Sequence, residues 1–355
     1  MAPWIPRLHL FEIDDQPWFP SFLRAHVQTG LTHAWTTRIP VLQSCSPATL
    51  VAKTLRQQLG RSASGYTYID FCAGAGGPTP SIARALNSQL AAGTSASSEG
   101  PAAPSYAAVA SRTPFAHFVL TDLHPHIQSW EKAVKRSTYM SYIPEPVDAA
   151  AVPQNLIERF QAQGKPVFRL FNLAFHHFDD HLARAILKNT IETSAGFGYV
   201  SPVPYDLSPP STVFQIQMPV SMSPFVRLKI MPMLTPFLLS IFELQSRSIS
   251  SFISCFLFGC FVFLLAPFLY WWSPQILFFV YIVPVIPFVI VFDGLVSSLR
   301  TRTPEEIEIL LRTCGAGDTS DWVVSSGSQT VLWPVGQLTW VVGTKQTRGR
   351  ETMQS

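Results

Sequence analysis

The spacing of apolar positions changes several times along the chain. Trp18, Phe19, Phe22, Leu23, Val27 and Leu31 recur at roughly helical spacing, so residues 1–60 read as helical and irregular. A polar break at 60–65 precedes an aromatic-rich run at 66–71 (YTYIDF), which reads as a strand. A Gly-rich turn and a helix over about 80–90 follow. Residues 91–114 are rich in Ala, Ser, Gly and Pro and poor in large apolar side chains, the composition of a flexible surface insertion. Strands are predicted at 116–121, 140–143 and 167–174. Helices are predicted at 127–136, at 155–163, where Gly164 stops it, and at 179–193, with Asp179 or Asp180 as its cap. Alternation of this kind predicts an α/β fold, a parallel sheet with helices on both faces. Near the end, Thr303-Pro304-Glu305-Glu306 spells a helix start with a capping box. Two closing strands are predicted at 322–325 and 338–342.

Two segments break the pattern by having no polar face. Residues 249–272 and 276–292 contain no Asp, Glu, Lys or Arg. The first exceeds the roughly 20 helical residues needed to cross a hydrocarbon layer. The second is shorter, and Pro284 and Pro287 kink any helix there. Tyr270, Trp271, Trp272, Ser273 and Pro274 between them suit the far interface of a hairpin. Arg247 lies before the pair, and Arg300 and Arg302 after it, which puts both ends on the cytoplasmic side. A re-entrant hairpin and a pair of buried core helices are the other readings. Asp293 and Arg300 read as an interfacial ion pair or as part of a substrate mouth. No apolar leader precedes residue 15, so the hydrophilic parts are expected in the cytosol.

Composition narrows the function classes. Charged residues are only 13% and the net charge is +3 over 355 residues, so no basic stripe suits a nucleic acid. The aromatic content excludes a disordered chain. Cys45, Cys72 and Cys314 are isolated, and Cys255 and Cys260 lie in the apolar run. No pair has metal-ligand spacing, and disulfides are not expected. Residues 199–240 fit no element, because prolines crowd a stretch that interrupts the approach to a fifth strand. Joining 196–198 to 241–244 gives a plausible strand, and the permitted codons at both edges can spell splice signals. A retained intron in the gene model and a Pro-rich loop near the membrane both stay open.

The chemistry concentrates at Asp70-Phe71-Cys72-Ala73-Gly74-Ala75-Gly76-Gly77-Pro78-Thr79, between a strand and a helix. Glycines there let the backbone approach a ligand, and the helix start offers free N–H groups. A dinucleotide fingerprint needs a third glycine where Thr79 stands. An acidic residue, Asp70, precedes the glycines instead. Asp122 and Leu123 end the second strand, Asp148 and Ala149 follow the third, and Asn172, Ala174, His176 and His177 sit at the exit of the fourth.

This series resembles class I S-adenosylmethionine (SAM)-dependent methyltransferases, over about residues 66–198. Residues 242–302 are similar to a membrane-associated fungal and bacterial subgroup. The resemblance implies a Rossmann-like methyltransferase sheet, mostly parallel with an antiparallel last strand, interrupted by an inserted hydrophobic hairpin. It implies SAM as cofactor. Asp70, Cys72, Gly74, Gly76 and Gly77 would form the first loop, with Cys72 where the family usually has Gly. Asp122 and Leu123 would take the ribose, Asp148 and Ala149 the adenine, and Asn172 and Ala174 the methionine part. His176 and His177 are the candidate catalytic bases. The acceptor is expected to be a small, lipophilic molecule at a membrane, in fungal secondary metabolism or lipid modification. A non-catalytic membrane protein of the same fold and a nucleotide-dependent oxidoreductase are the alternatives. The organisation expected is a cap (1–60), a SAM-binding core (61–198), the irregular insertion (199–240), a fifth-strand region (241–248), a membrane hairpin (249–292), a C-terminal helix with closing strands (293–345), and a tail (346–355).

Overall fold

The computed structural model describes residues 5–36, 38, 43–95, 115–161, 166–193, 196–203, 247, 249–317, 319–320, 322–332 and 336–345. The chain forms two compact units. One joins residues 48–201, 301–328 and 339–355; the other joins 1–47, 202–300 and 329–338.

The first unit holds most of the sheet. Its strands are β1 (Thr67–Phe71), β2 (His117–Thr121), β3 (Met140–Tyr142), β4 (Val167–Asn172), β5 (Gly196–Val203), β6 (Trp322–Leu332) and β7 (Gly336–Lys345), in the order β3-β2-β1-β4-β5-β7-β6. β1 to β5 pair in parallel. A link of three residues joins β6 to its neighbour β7, too short for a parallel crossover, so these two are antiparallel. One of them therefore runs against β1–β5. Every residue of β1 is buried, as expected where helices cover both faces. On one face Tyr68 stacks on Phe118 at 4.7 Å and meets Phe168 at 5.2 Å, a ladder across three strands set by their register. On the other, Ile69 and Phe71 join Phe171, Ile186, Leu187 and Leu311 in the main core.

Around the sheet lie α2 (Pro47–Leu59), α3 (Thr79–Ser95), α4 (Ile127–Val134), α5 (Gln154–Gln161), α6 (Asp180–Thr193) and α10 (Pro304–Arg312), while α1 (Ser21–Thr36), α7 (Ile249–Leu269), α8 (Pro274–Leu277) and α9 (Val285–Arg300) belong to the second unit. Polar side chains fix the ends. Asp179 accepts from Leu182 N–H at 2.7 Å and caps α6. The Thr303–Glu306 capping box forms in both directions. The Asn87 amide bonds both backbone groups of Ala116, tying α3 to the start of β2.

The second unit pairs α1 with a hairpin of α7 (Ile249–Leu269), α8 (Pro274–Leu277), a π turn (Phe278–Ile282) and α9 (Val285–Arg300). Phe19, Leu23 and Val27 pack on Ala266, Val280 and Val289. A Cβ on Gly259 would overlap Val291, and one on Gly294 would press on Cys255, so α7 and α9 touch closely at these points.

Several expectations need correction. The fifth strand is 196–203, paired with β4, and so enters the stretch read as an insertion. Residues 204–246, with most of the 199–240 segment and the 241–246 part of the expected strand, lie outside the described residues, as does the tail. Residues 91–95 continue α3 rather than opening a loop. Among the described residues no single helix is long and apolar enough to cross a membrane; one pair, Pro274–Ile282 with Val285–Arg300, has the length and composition but bends by 66°. Arg247, Arg300 and Arg302 are buried, not flanking charges in water. Asp293 and Arg300 each grip the N-terminal segment. Asp293 accepts from the Ile13 and Asp14 N–H groups at 2.6 and 3.0 Å, and Arg300 pairs with Glu12 at 3.1 Å and Asp15 at 3.7 Å.

Arg302 donates to the Phe175 and Phe178 carbonyls at 3.0 and 2.7 Å and to Asp180 at 2.8 Å. Arg302→Met strips two buried carbonyls of their donor and should cost about 2–4 kcal/mol, read as a lower urea midpoint. Asp180 is half exposed, so Asp180→Asn should stay within about 1 kcal/mol.

Candidate cofactor-binding site

β1 and β4 are neighbours, yet β2 and β3 continue to one side and β5 to the other. Strand order thus reverses between β1 and β4, and open α/β sheets hold ligands in the crevice at the carboxyl ends of such strands. The residues singled out in the sequence collect at these ends.

Asp70, one residue before the end of β1, is buried. It accepts from the Thr79 hydroxyl at the start of α3 and from the Asn172 amide of β4 at 3.3 Å. Asn172 also donates to the Thr79 oxygen at 3.0 Å. Thr121 of β2 donates its hydroxyl to the Asp70 carbonyl at 3.0 Å. Three strands and a helix therefore meet on one residue. Thr79, the residue that spoils the dinucleotide fingerprint, is the partner this carboxylate needs. Burial pushes the Asp70 carboxyl up to about 7, opposed by the Thr79 and Asn172 hydrogen bonds and reinforced by the Asp122 charge.

The loop from 72 to 78 turns sharply. Cys72, Gly74, Gly76 and Gly77 all have positive φ, of 66°, 52°, 109° and 46°. Glycine adopts this region at little cost, whereas a side chain there is strained. At position 72 this chain bears that strain with a half-buried thiol. Gly74 N–H donates to Asp122 at 2.8 Å, and the buried Trp130 indole donates to the Gly74 carbonyl at 2.8 Å. The loop is thus held from both sides. A Cβ at Gly76 would lie 3.8 Å from Trp130.

Asp122 also accepts from His124 N–H at 2.8 Å. Its carbonyl takes the Val147 N–H at 2.9 Å, which brings the turn of Asp148 and Ala149 beside it. Asp148 accepts from Ala150 N–H, and the buried Arg169 donates to the Ala149 carbonyl at 3.1 Å. Leu123 is exposed next to Asp122. Beyond β4, Leu173 has a φ of 55° and starts a short turn in which Ala174 accepts from His177 N–H. The His176 and His177 rings lie 4.2 Å apart, His176 buried and His177 half-buried. Thr79, Trp130, Arg169 and Arg302 were missed. Only Thr79 carried a signal, its place where a glycine was wanted.

Electrostatically the loop is acidic. The Cys72 thiol is pushed up by burial first, then by Asp122, Asp70 and Asp148. A cation fits this field better than a pyrophosphate does. The Asp70 Oδ1 and Asn172 Oδ1 atoms are buried without a hydrogen-bond partner among the described residues. Two orphaned acceptors at the strand ends suit a ligand carrying an ammonium or hydroxyl donors.

The Asp70 carboxyl has a direct consequence for stability. Near pH 4 the unfolded chain starts to lose this proton, while the folded chain keeps it up to about 7. Its contribution is present below pH 4 and is lost as pH rises to 7. Urea midpoints of wild type and Asp70→Asn should diverge in favour of the variant over pH 4–7, by at most a few kcal/mol, and run parallel above it. A difference independent of pH would show that Asp70 ionises as it does in the unfolded chain.

No protein-family model matches the chain, and no curated protein matches it. Among solved structures it is similar to the pyocyanin biosynthetic protein PhzM, at 13% identity and a TM-score of 0.38, over 84% of this chain and 56% of that one. It is similar to an O-methyltransferase family protein from Burkholderia thailandensis, at 11% and 0.35, over 85% and 57%. A protein provisionally described as a Zn-dependent alcohol dehydrogenase from Rhodobacter sphaeroides aligns at 10% and 0.33, over 90% and 98%. The chain thus spans little more than half the length of the first two, and likenesses of this extent transfer neither chemistry to it.

Proposed function

We propose that the chain is a SAM-dependent methyltransferase acting on a small, lipophilic acceptor at a membrane. The observation that carries this reading is the β1/β4 switch point, where a positive-φ loop is tied to Asp122 and the buried Asp70–Thr79–Asn172 cluster closes the floor. Two features favour it over a dinucleotide oxidoreductase. The sheet ends β5-β7-β6, whereas the dinucleotide fold runs 3-2-1-4-5-6. The loop is also surrounded by carboxylates, which oppose a pyrophosphate and favour a sulfonium.

SAM would supply a methyl group already activated by positive sulfur. The protein's part is then to bind, orient and exclude water. Asp122, with acceptor capacity beyond its Gly74 and His124 bonds, would take ribose hydroxyls. Leu123, Asp148 and Ala149 would border the adenine. Asn172 and Ala174 would line the methionine part, with the free Asn172 Oδ1 as acceptor for its ammonium. His176 and His177 would receive the acceptor's proton where it has one to lose. The uncharged hairpin at 249–292 would hold the protein at the lipid, where an apolar acceptor concentrates.

Calorimetry on the full chain should show binding of SAM and of its demethylated product, and none of a nicotinamide dinucleotide. Asp122→Ala should weaken SAM binding by about 10- to 100-fold. Circular dichroism would confirm folding, since Gly74 loses its acceptor in this variant. Unchanged affinity would mean that the ribose assignment is wrong. A folded chain that binds no SAM would remove the enzyme reading.

A further inference from the structure

The membrane hairpin has two unlike legs, and this inference rests on the membrane reading above. α7 carries no charged side chain, but its faces differ. Cys255, Gly259 and Ala266 turn toward α9, through Gly294, Val291 and the cluster of Val289. Ile253, Phe256, Cys260, Leu264 and Phe268 follow at spacings of three and four and, with Phe263 beside them, form one exposed stripe, Phe256 65% and Phe268 72% exposed. The stripe continues at the turn into Trp271, 73% exposed, and Trp272.

α9 is wrapped in polar contacts over its last two turns. Besides the Asp293 and Arg300 contacts, the Ser297 hydroxyl donates to Glu12 at 2.6 Å, and Leu8 N–H donates to the Leu299 carbonyl at 3.1 Å. Glu12, Asp293 and Arg300 are all buried in this strap.

We propose that the hairpin seats in a single leaflet and never crosses the bilayer. By length alone α7, at about 32 Å, matches a hydrocarbon layer of about 30 Å, although among the described residues no single helix has both the length and the apolar composition of a span. The return leg falls short even by length. Pro274–Ile282 meets α9 at 66°, and only Val285–Phe292 precede the strapped turns. Together these pieces reach about 18 Å along the α9 axis. Cys255 lies level with Gly294, so the first turns of α7 stand beside the strap as well. Crossing would drag the Glu12–Arg300 pair and Asp293 toward hydrocarbon, where charge is costly. The occupant of the stripe is a neutral lipid leaflet, because no charged side chain interrupts residues 249–292. Trp271 and Trp272 belong at headgroup depth, with the α7 stripe sunk about 5–10 Å beside them.

The test uses the full chain with phosphatidylcholine vesicles. It should float with them. The fluorescence that Trp271→Phe and Trp272→Phe remove should be quenched at least twofold more by lipids brominated near the headgroup than at mid-chain. Stronger mid-chain quenching would overturn the proposal. In microsomes, a glycosylation acceptor inserted between Trp272 and Ser273 should stay unmodified. Modification would show that the tip reaches the far side, sinking the single-leaflet seat while leaving the membrane reading intact. A folded chain that does not float removes the membrane reading itself, and this inference with it.

Discussion

Asp70 sits one residue before the end of β1 with its carboxylate kept from water, and β1, α3 and β4 meet on that group through Thr79 and Asn172. A buried carboxylate is costly unless hydrogen-bonded, so the local geometry is constrained to provide donors. The first residue of α3 must present a hydroxyl, and β4 must present an amide at its last position. With both in place, the loop between β1 and α3 has a fixed span and must turn back within seven residues. The run of positive φ from Cys72 to Gly77 is the consequence. Asp122 then holds the loop by its Gly74 N–H, and Trp130 holds it by the Gly74 carbonyl. The crevice at the switch point is shaped by this chain of requirements, each resting on the one before.

Behind the site, Arg169 and Arg302 stiffen the connections without facing a ligand. Arg169 sits 4.7 Å above the Phe71 ring and donates to Ala149, Thr190, Asn189 and Thr193, joining β4 to α6 and to the turn of Asp148. Burial lowers its guanidinium to about 9, so the four donated bonds are what keeps a cation tolerable there. Arg302 does the same for the turn that carries His176 and His177, with its guanidinium 5.5 Å from the Phe175 ring. A five-donor planar group suits both places, since each requires several acceptors to be gathered from different elements.

Much of the first unit was legible from local signals. The all-buried β1 and the capped starts of α6 and α10 depend on neighbours in sequence, and their patterns are short-ranged. The loop was legible because glycine spacing reports backbone conformation directly. What could not be read was pairing at a distance. Thr79 looked like a defect in a fingerprint because its partners lie 9 and 93 residues away. Residues 199–203 looked like the edge of an insertion because their strand character comes from the β4 register, not from their own proline-containing composition.

The arginines around the apolar segments show the same limit most sharply. A cation at the end of a hydrophobic run has one sequence pattern and two physical solutions. It can stay in water at the membrane surface, or be buried against carboxylates and carbonyls. Arg300 and Arg302 stand two residues apart and take the second solution twice. Arg300 meets Glu12 and Asp15 within the second unit; Arg302 meets Asp180 and two carbonyls within the first. The deciding partners come from residues 12–15 and 175–180, far from the pattern itself. Arg300 and Arg302 are thus spent as internal ties, and an orientation rule that counts flanking cations assumes the hydration these residues have given up.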